Sequence, residues 1–215
     1  MRPMNILMIA SLNRAKQDEF EALFSKYKVT LRAPEEFIRN PSILSHVESK
    51  KEDATYYDNA YAKCHAAFLA AKVPTVADDS GIEIDALQGK PGVYSAHFGE
   101  RKANLSQDAA NRKKVLELLK GKKSEERKAR MRCVLVFMVE GVLLHAEGVC
   151  EGSIAENEVG DGGFGYDSIF IPNATGGKRF SEISQEEKNA ISHRALAVTK
   201  LMELIRERNI QFVRP

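Results

Sequence analysis

The stretch "RCVLVFMVEGVLLHAEGVC", residues 132–150, restricts the possible folds more than any other. Two apolar runs flank Glu140-Gly141, and that pattern predicts an antiparallel hairpin. The first run is apolar at odd and even positions alike. Side chains alternate between the faces of a strand, so both faces of this one must be covered. It therefore belongs in the middle of a sheet. Helical patterns elsewhere supply the cover, which predicts a mixed α/β sheet flanked by helices.

The other elements follow from periodicity. "NILMIA", residues 5–10, reads as a buried strand. A helix with Phe20, Leu23, Phe24 and Tyr27 on one face comes next, then a strand at 28–33. Residues 34–52, punctuated by Pro34 and Pro41, read as irregular. Thr55 caps a helix over 55–71 whose apolar face is Tyr57, Ala60, Cys64, Ala67, Phe68 and Ala71. Val73 to Ala77 is a strand, and a helix over 104–120 buries Val115, Leu118 and Leu119. A glycine-rich loop at 160–165 leads into the strand "SIFIP". The chain closes on helix, with Ile191, Ala195, Val198, Met202 and Ile205 as one stripe.

The 215 residues suit a single domain over 1–215 or a tightly joined pair of lobes. With 43% apolar and 29% charged residues the chain is of globular type, and a net charge of +2 gives no general attraction to polyanions. Cys64, Cys133 and Cys150 are odd in number and widely spaced, which excludes a disulfide framework and suggests a reducing compartment. The apolar run at the N-terminus is too short for a signal-peptide core, and no stretch approaches the roughly 18 apolar residues of a membrane span. The expected location is cytoplasmic, with no membrane partner.

Four blocks carry candidate chemistry. "ADDSG", residues 77–81, reads locally as a turn after a strand. Its alternative is a carboxylate pair beyond the strand's C-terminal end. Alternation then lets Asp78 and Asp79 take different roles, one facing a ligand and one bracing the loop. Mg2+ would relieve their repulsion, and a phosphorylated substrate is its usual companion. In "SLNRAK", residues 11–16, Ser11 and Asn13 are placed to cap a helix or touch phosphate, and Lys16 adds a charge one turn in. The bland reading is a cap plus a surface lysine.

"GDGGFG", residues 160–165, matches a dinucleotide-binding spacing but sits before a strand rather than a helix, so that reading is rejected. Its glycines still permit close approach of a flat ligand, Phe164 and Tyr166 offer stacking faces, and Asp167 offers an acceptor. The alternative is a turn with core aromatics. In "EEKNAISHRALA", Ser184 and Glu187 fit a capping box. Ser192 can cap the next helix, with His193 and Arg194 as donors in its first turn. An exposed His-Arg pair is the bland reading. The seven basic residues of 120–132 read as a solvated helix face or loop rather than a nucleic-acid site, for no aromatics interleave them.

Taken in order, Ser-x-Asn-x-x-Lys, Ala-Asp-Asp-Ser-Gly-Ile with Gly-x-Pro-Gly-Val-Tyr-Ser-Ala, Phe-Gly-Tyr-Asp and Glu-Lys-Asn-Ala-Ile-Ser-His-Arg closely resemble the inosine/xanthosine triphosphate pyrophosphatase family. The resemblance spans about residues 5–205. It implies an elongated mixed sheet with flanking helices in two lobes around a central cleft, and a homodimer. The implied reaction converts non-standard purine triphosphates (ITP, dITP, XTP) to the monophosphate and pyrophosphate with Mg2+. By resemblance Asp79 is the general base and a metal ligand, with Glu52, or behind it Glu48, as the second carboxylate. Ser11, Asn13, Lys16, Ser80, Phe164, Gly165, Tyr166, Asp167, Lys188, His193 and Arg194 match substrate contacts. His97, Ser168 and Leu12 depart from the family pattern. The competing readings are a pyrophosphatase acting on another nucleotide, such as a pyrimidine triphosphate, and a non-catalytic nucleotide- or RNA-binding module.

Overall fold

A computed structural model of the chain describes residues 5–47, 54–101 and 103–211. The strands are β1 (Asn5–Ile9), β2 (Val29–Arg32), β3 (Thr75–Ile84), β4 (Lys128–Val139), β5 (Val142–Ile154) and β6 (Phe170–Pro172). They form one mixed sheet in the order β2-β1-β3-β4-β5-β6, with β1 parallel to β2 and β3, and β5 antiparallel to β6. The helices are α1 (Arg14–Ser25), α2 (Tyr56–Ala71), α3 (Gln107–Leu118), α4 (Gln185–Ile191) and α5 (His193–Glu207). The predicted hairpin is present, with Gly141 at φ +71° in the turn, and β4 is central as its two apolar faces require.

The chain divides into two compact units. One comprises residues up to Asp79, Cys133–Gly148 and those from Arg194 onward; the other comprises Ser80–Arg132 and Val149–His193. In the first, alternation sorts the core by strand face. Leu7, Ile9, Val76, Cys133, Leu135 and Phe137 pack with Phe20, Leu23 and Phe24 of α1 and Val198, Leu201 and Ile205 of α5. Met8, Ala10, Ala77, Val136 and Met138 pack on the opposite face with Ala60, Cys64 and Ala67 of α2. Each large apolar side chain buried this way contributes about 1.5–3 kcal/mol. In the second unit Ile82 and Ile84 of β3 join Val115 of α3, Leu119 just past its end, Ala129 and Met131 of β4, and Phe170 and Phe180.

Several local expectations fail where tertiary context wins. β3 does not stop at Ala77 but runs through Asp78, Asp79, Ser80 and Gly81 to Ile84, so the pair is neither in a turn nor beyond the strand's end. Sheet pairing overrides the turn preference of Asp-Ser-Gly. Tyr27 lies past the end of α1 and is exposed, its hydroxyl donating to Thr199. Leu118 is exposed on the last turn of α3 while Leu119 is buried, and Ile191 belongs to α4 rather than to the final helix. Pro34–Glu36 and Pro41–His46 form short 3-10 turns in the segment expected to be irregular.

The basic run is also not a solvated face throughout. Arg127 is buried and donates to the carbonyls of Leu119, Ile154 and Ala155. Arg130 and Arg132 sit on β4 and pair with Glu83, Asp85 and Glu151. Among the described residues no helix is long and apolar enough to cross a membrane.

Candidate active site

The alternation of β3 separates the two aspartates. Val76 faces α1 and α5 and Ala77 faces α2, so Asp78 inherits the first side and Asp79 the second. Asp78 is 1% exposed, and the Nζ of Lys16 donates to its Oδ2 at 2.7 Å. Lys16 lies in the first turn of α1. Asn13 caps that helix by accepting from the Lys16 N–H at 3.1 Å, and the Ser11 hydroxyl oxygen accepts from the Asn13 N–H at 3.3 Å. Gln17, buried, donates to the Ser11 carbonyl at 2.6 Å and fixes the loop from behind. Ser11 is half-buried and Asn13 exposed.

The Asp79 side chain is 16% exposed. Asn59 Nδ2 donates to its Oδ2 at 3.1 Å, and Lys63 Nζ lies 3.5 Å from its Oδ1. The same ammonium donates to the Asp78 carbonyl. Ser80 follows, half-buried. Sequence reading missed both Asn59 and Lys63. Their only signal is polar residues four apart on a helix that is otherwise small and apolar along that side.

The two carboxyls differ in basicity. Burial pushes Asp78 upward, but Lys16, Lys63, Arg194 and the Lys16 hydrogen bond outweigh it and hold the group well below the usual carboxylate range. Asp79 moves the other way. Burial raises it, Lys63 and Lys16 offset only part of this, and Asp78 adds a further rise. The more accessible carboxylate is thus the more basic, which suits proton abstraction or metal ligation. Cys64 and Cys150 are no competitors as nucleophiles, since burial pushes their thiols to about 12 and about 11.

His193 and Arg194 open α5 and are 3% and 6% exposed, so the solvent-facing reading of this pair fails. Arg194 Nη1 donates to Glu19 Oε2 of α1 at 3.1 Å, and Glu19 is itself buried. Nothing in the sequence marks Glu19, which lies 175 positions away.

In the second unit, Gly160, Gly163 and Gly165 all have positive φ. Gly163 has a second constraint, because a Cβ there would lie 2.1 Å from Asp167 Oδ2. Asp167 is buried, and its Oδ2 accepts from the Phe164 N–H and from Lys188 Nζ, both at 2.8 Å. Lys188, also buried, places its ammonium 5.1 Å from the centroid of the half-buried Phe164 ring. The expected stacking role of Tyr166 is not supported. The ring is buried in the core, its hydroxyl donates to the Ser95 carbonyl at 2.8 Å, and burial raises the phenol. Gly165 is held by two residues that sequence reading missed: Asp108 accepts from its N–H at 2.9 Å, and Arg112 donates to its carbonyl at 2.8 Å.

Among the described residues no three His, Cys, Asp or Glu converge as a metal cage. Glu52 and Glu48 lie outside the described residues. Mg2+ is commonly held by one or two carboxylates together with substrate phosphates and water. Asp79, partly accessible, fits that demand, whereas Asp78 is committed to Lys16.

Known proteins resemble this chain over nearly its whole length. The Ham1 family profile matches residues 7–204. The dITP/XTP pyrophosphatase of Geobacillus kaustophilus is 41% identical over 202 residues, covering 93% of this chain and 94% of that protein. That of Aquifex aeolicus is 35% identical over 206 residues, covering 93% and 96%. The structure of a HAM1 protein from Coxiella burnetii superimposes with a TM-score of 0.76 at 33% identity, over 95% of this chain and 100% of that one. The chain belongs to the Ham1 family.

Proposed function

We propose that the protein hydrolyses non-standard purine nucleoside triphosphates (ITP, dITP and XTP) to the monophosphate and pyrophosphate, clearing them from the nucleotide pool. The activity named for its relatives supports the reading. The observation that carries it is the division of labour on β3. Asp78 is locked to Lys16, and Asp79 is partly accessible and braced by Asn59 and Lys63.

In this reading Asp79 takes the proton of the water that attacks the α-phosphorus. Lys16 and Lys63 offset negative charge on the phosphate chain, and Ser11, Asn13 and Ser80 contact it. Mg2+, held by Asp79, would neutralise charge on the departing pyrophosphate. Phe164 stacks on the base over the Lys188 ammonium, and Asp167 presents an acceptor. His193 and Arg194 donate to the 6-oxo group. Adenine carries an amino donor there, which would leave these donors unpaired at a cost of about 1–3 kcal/mol per group. Homodimer assembly and a cytoplasmic location belong to the same proposal.

The test is a panel of ITP, dITP, XTP, ATP, UTP and CTP with Mg2+, reading pyrophosphate and orthophosphate separately. Pyrophosphate from the 6-oxo purines above the others is expected. Orthophosphate as the primary product, or a preference for UTP or CTP, would overturn the proposal.

A further inference from the structure

The glycine loop of the second unit is held by a clamp whose chemistry points to a function of its own. Asp108 and Arg112 stand one turn apart on α3 and grip the two sides of a single residue. Asp108 Oδ2 accepts from the Gly165 N–H at 2.9 Å, and Arg112 Nη1 donates to the Gly165 carbonyl at 2.8 Å. The pattern copies the paired bonds that a neighbouring strand would give, but with charged partners, which bind more strongly than neutral ones. Arg112 is itself aimed, since its Nε donates to Glu158 Oε2 at 2.8 Å and the Ser168 hydroxyl donates to the same oxygen at 3.3 Å. Glu158 and Ser168 bracket the loop, and the Val159 N–H closes it by donating to the Ser168 carbonyl at 3.1 Å. Gly165 has φ +62° and open space where a Cβ would stand, so its own packing does not hold it in place.

We infer that Asp108 and Arg112 are positioning residues for base recognition: by fixing Gly165 they set the placement of Phe164 and Asp167 on either side of it. This rests on the assignment of the Phe164 loop to the base. Neither residue is required to touch the nucleotide. Their effect therefore belongs to base affinity and not to handling of the phosphate chain.

The experiment compares Asp108→Ala, Asp108→Asn and Arg112→Lys with the wild type. ITP kinetics, melting temperature, and separate titrations with IMP and with pyrophosphate are measured for each. Asp108→Ala is expected to raise KM for ITP and weaken IMP binding about tenfold, with kcat changed less than about twofold and pyrophosphate binding unchanged. Asp108→Asn keeps an acceptor for the Gly165 N–H and is expected to restore IMP binding to within about twofold of wild type. Arg112→Lys keeps the charge but loses the fork and should behave like Asp108→Ala. Equal loss of IMP and pyrophosphate binding, or a lowered melting temperature with unchanged IMP affinity, would reduce the clamp to general scaffolding and overturn the inference. A wild type that hydrolyses ITP while all three variants bind IMP normally would overturn the clamp alone. A wild type inactive on every purine triphosphate would overturn the proposed function and the clamp with it.

Discussion

The Asp78–Asp79 cluster of the first unit and the Phe164–Asp167 loop of the second hold their charges by different means. The first is built on regular elements. Asp78 and Asp79 sit on β3, Lys16 on α1, and Asn59 and Lys63 on α2, so side-chain alternation and helix spacing set their positions. Its charges are redundant, with Lys16, Lys63 and Arg194 all acting on Asp78. The second is irregular backbone, held by side chains that reach into it from α3 and α4. Among the described residues Asp167 has one ion pair, to Lys188, and both partners are buried. The first arrangement is therefore expected to lose less than the second when one cation is removed. Each contrast can be tested.

The largest effect is expected at Asp79. Asp79→Asn keeps the shape of the side chain and removes its basicity, so the rate of pyrophosphate release should fall by about 10²–10⁴-fold with the fold intact by circular dichroism. A variant retaining more than about a tenth of the rate would move the reacting carboxylate elsewhere.

Next comes stability. Lys188→Met strands the Asp167 carboxylate in the interior, an arrangement that costs about 3–5 kcal/mol. Lys16→Met leaves Lys63 and Arg194 acting on Asp78 and should cost less, about 1–2 kcal/mol. Urea unfolding of the two variants measures the difference, and equal costs would erase the contrast between the units.

The smallest expected effect is a shift in pH dependence. Burial raises the Asp79 carboxyl, Lys63 is the main group lowering it, and Asp78 raises it again. Asp79 acts as a base only when ionised. Removing Lys63 therefore moves the acid limb of kcat/KM to higher pH. An acid limb of Lys63→Met that stays in place or moves to lower pH would show that another group governs it.

Much of this organisation is legible in the residues. Glu140-Gly141 between two apolar runs marks the hairpin, Thr55 the start of α2, and Ser184 with Glu187 the capping box that opens α4. These are local signals, satisfied by backbone groups within a few positions. The reading fails where a distant partner outweighs a local preference. Asp-Ser-Gly looks like a turn, but β3 passes through it because the sheet pairs the backbone on either side. Tyr166 looks like a ligand platform, yet Ser95 and the surrounding core claim it. Asn59, Lys63, Glu19, Asp108 and Arg112 carry no motif at all, and each becomes visible only through the residue it touches.

The sequence by itself determined most of the strand and helix segments, which strand is central, and that two carboxylates stand side by side in the chain, since periodicity and capping are properties of neighbours. Only the tertiary structure decided what each carboxylate became. Adjacent strand residues point to opposite faces, so Asp78 and Asp79 meet different helices, and their partners Lys16 and Asn59 lie 62 and 20 positions away. The helix packed on each face decided that one is a buried ion pair and the other a braced, more basic and partly accessible group.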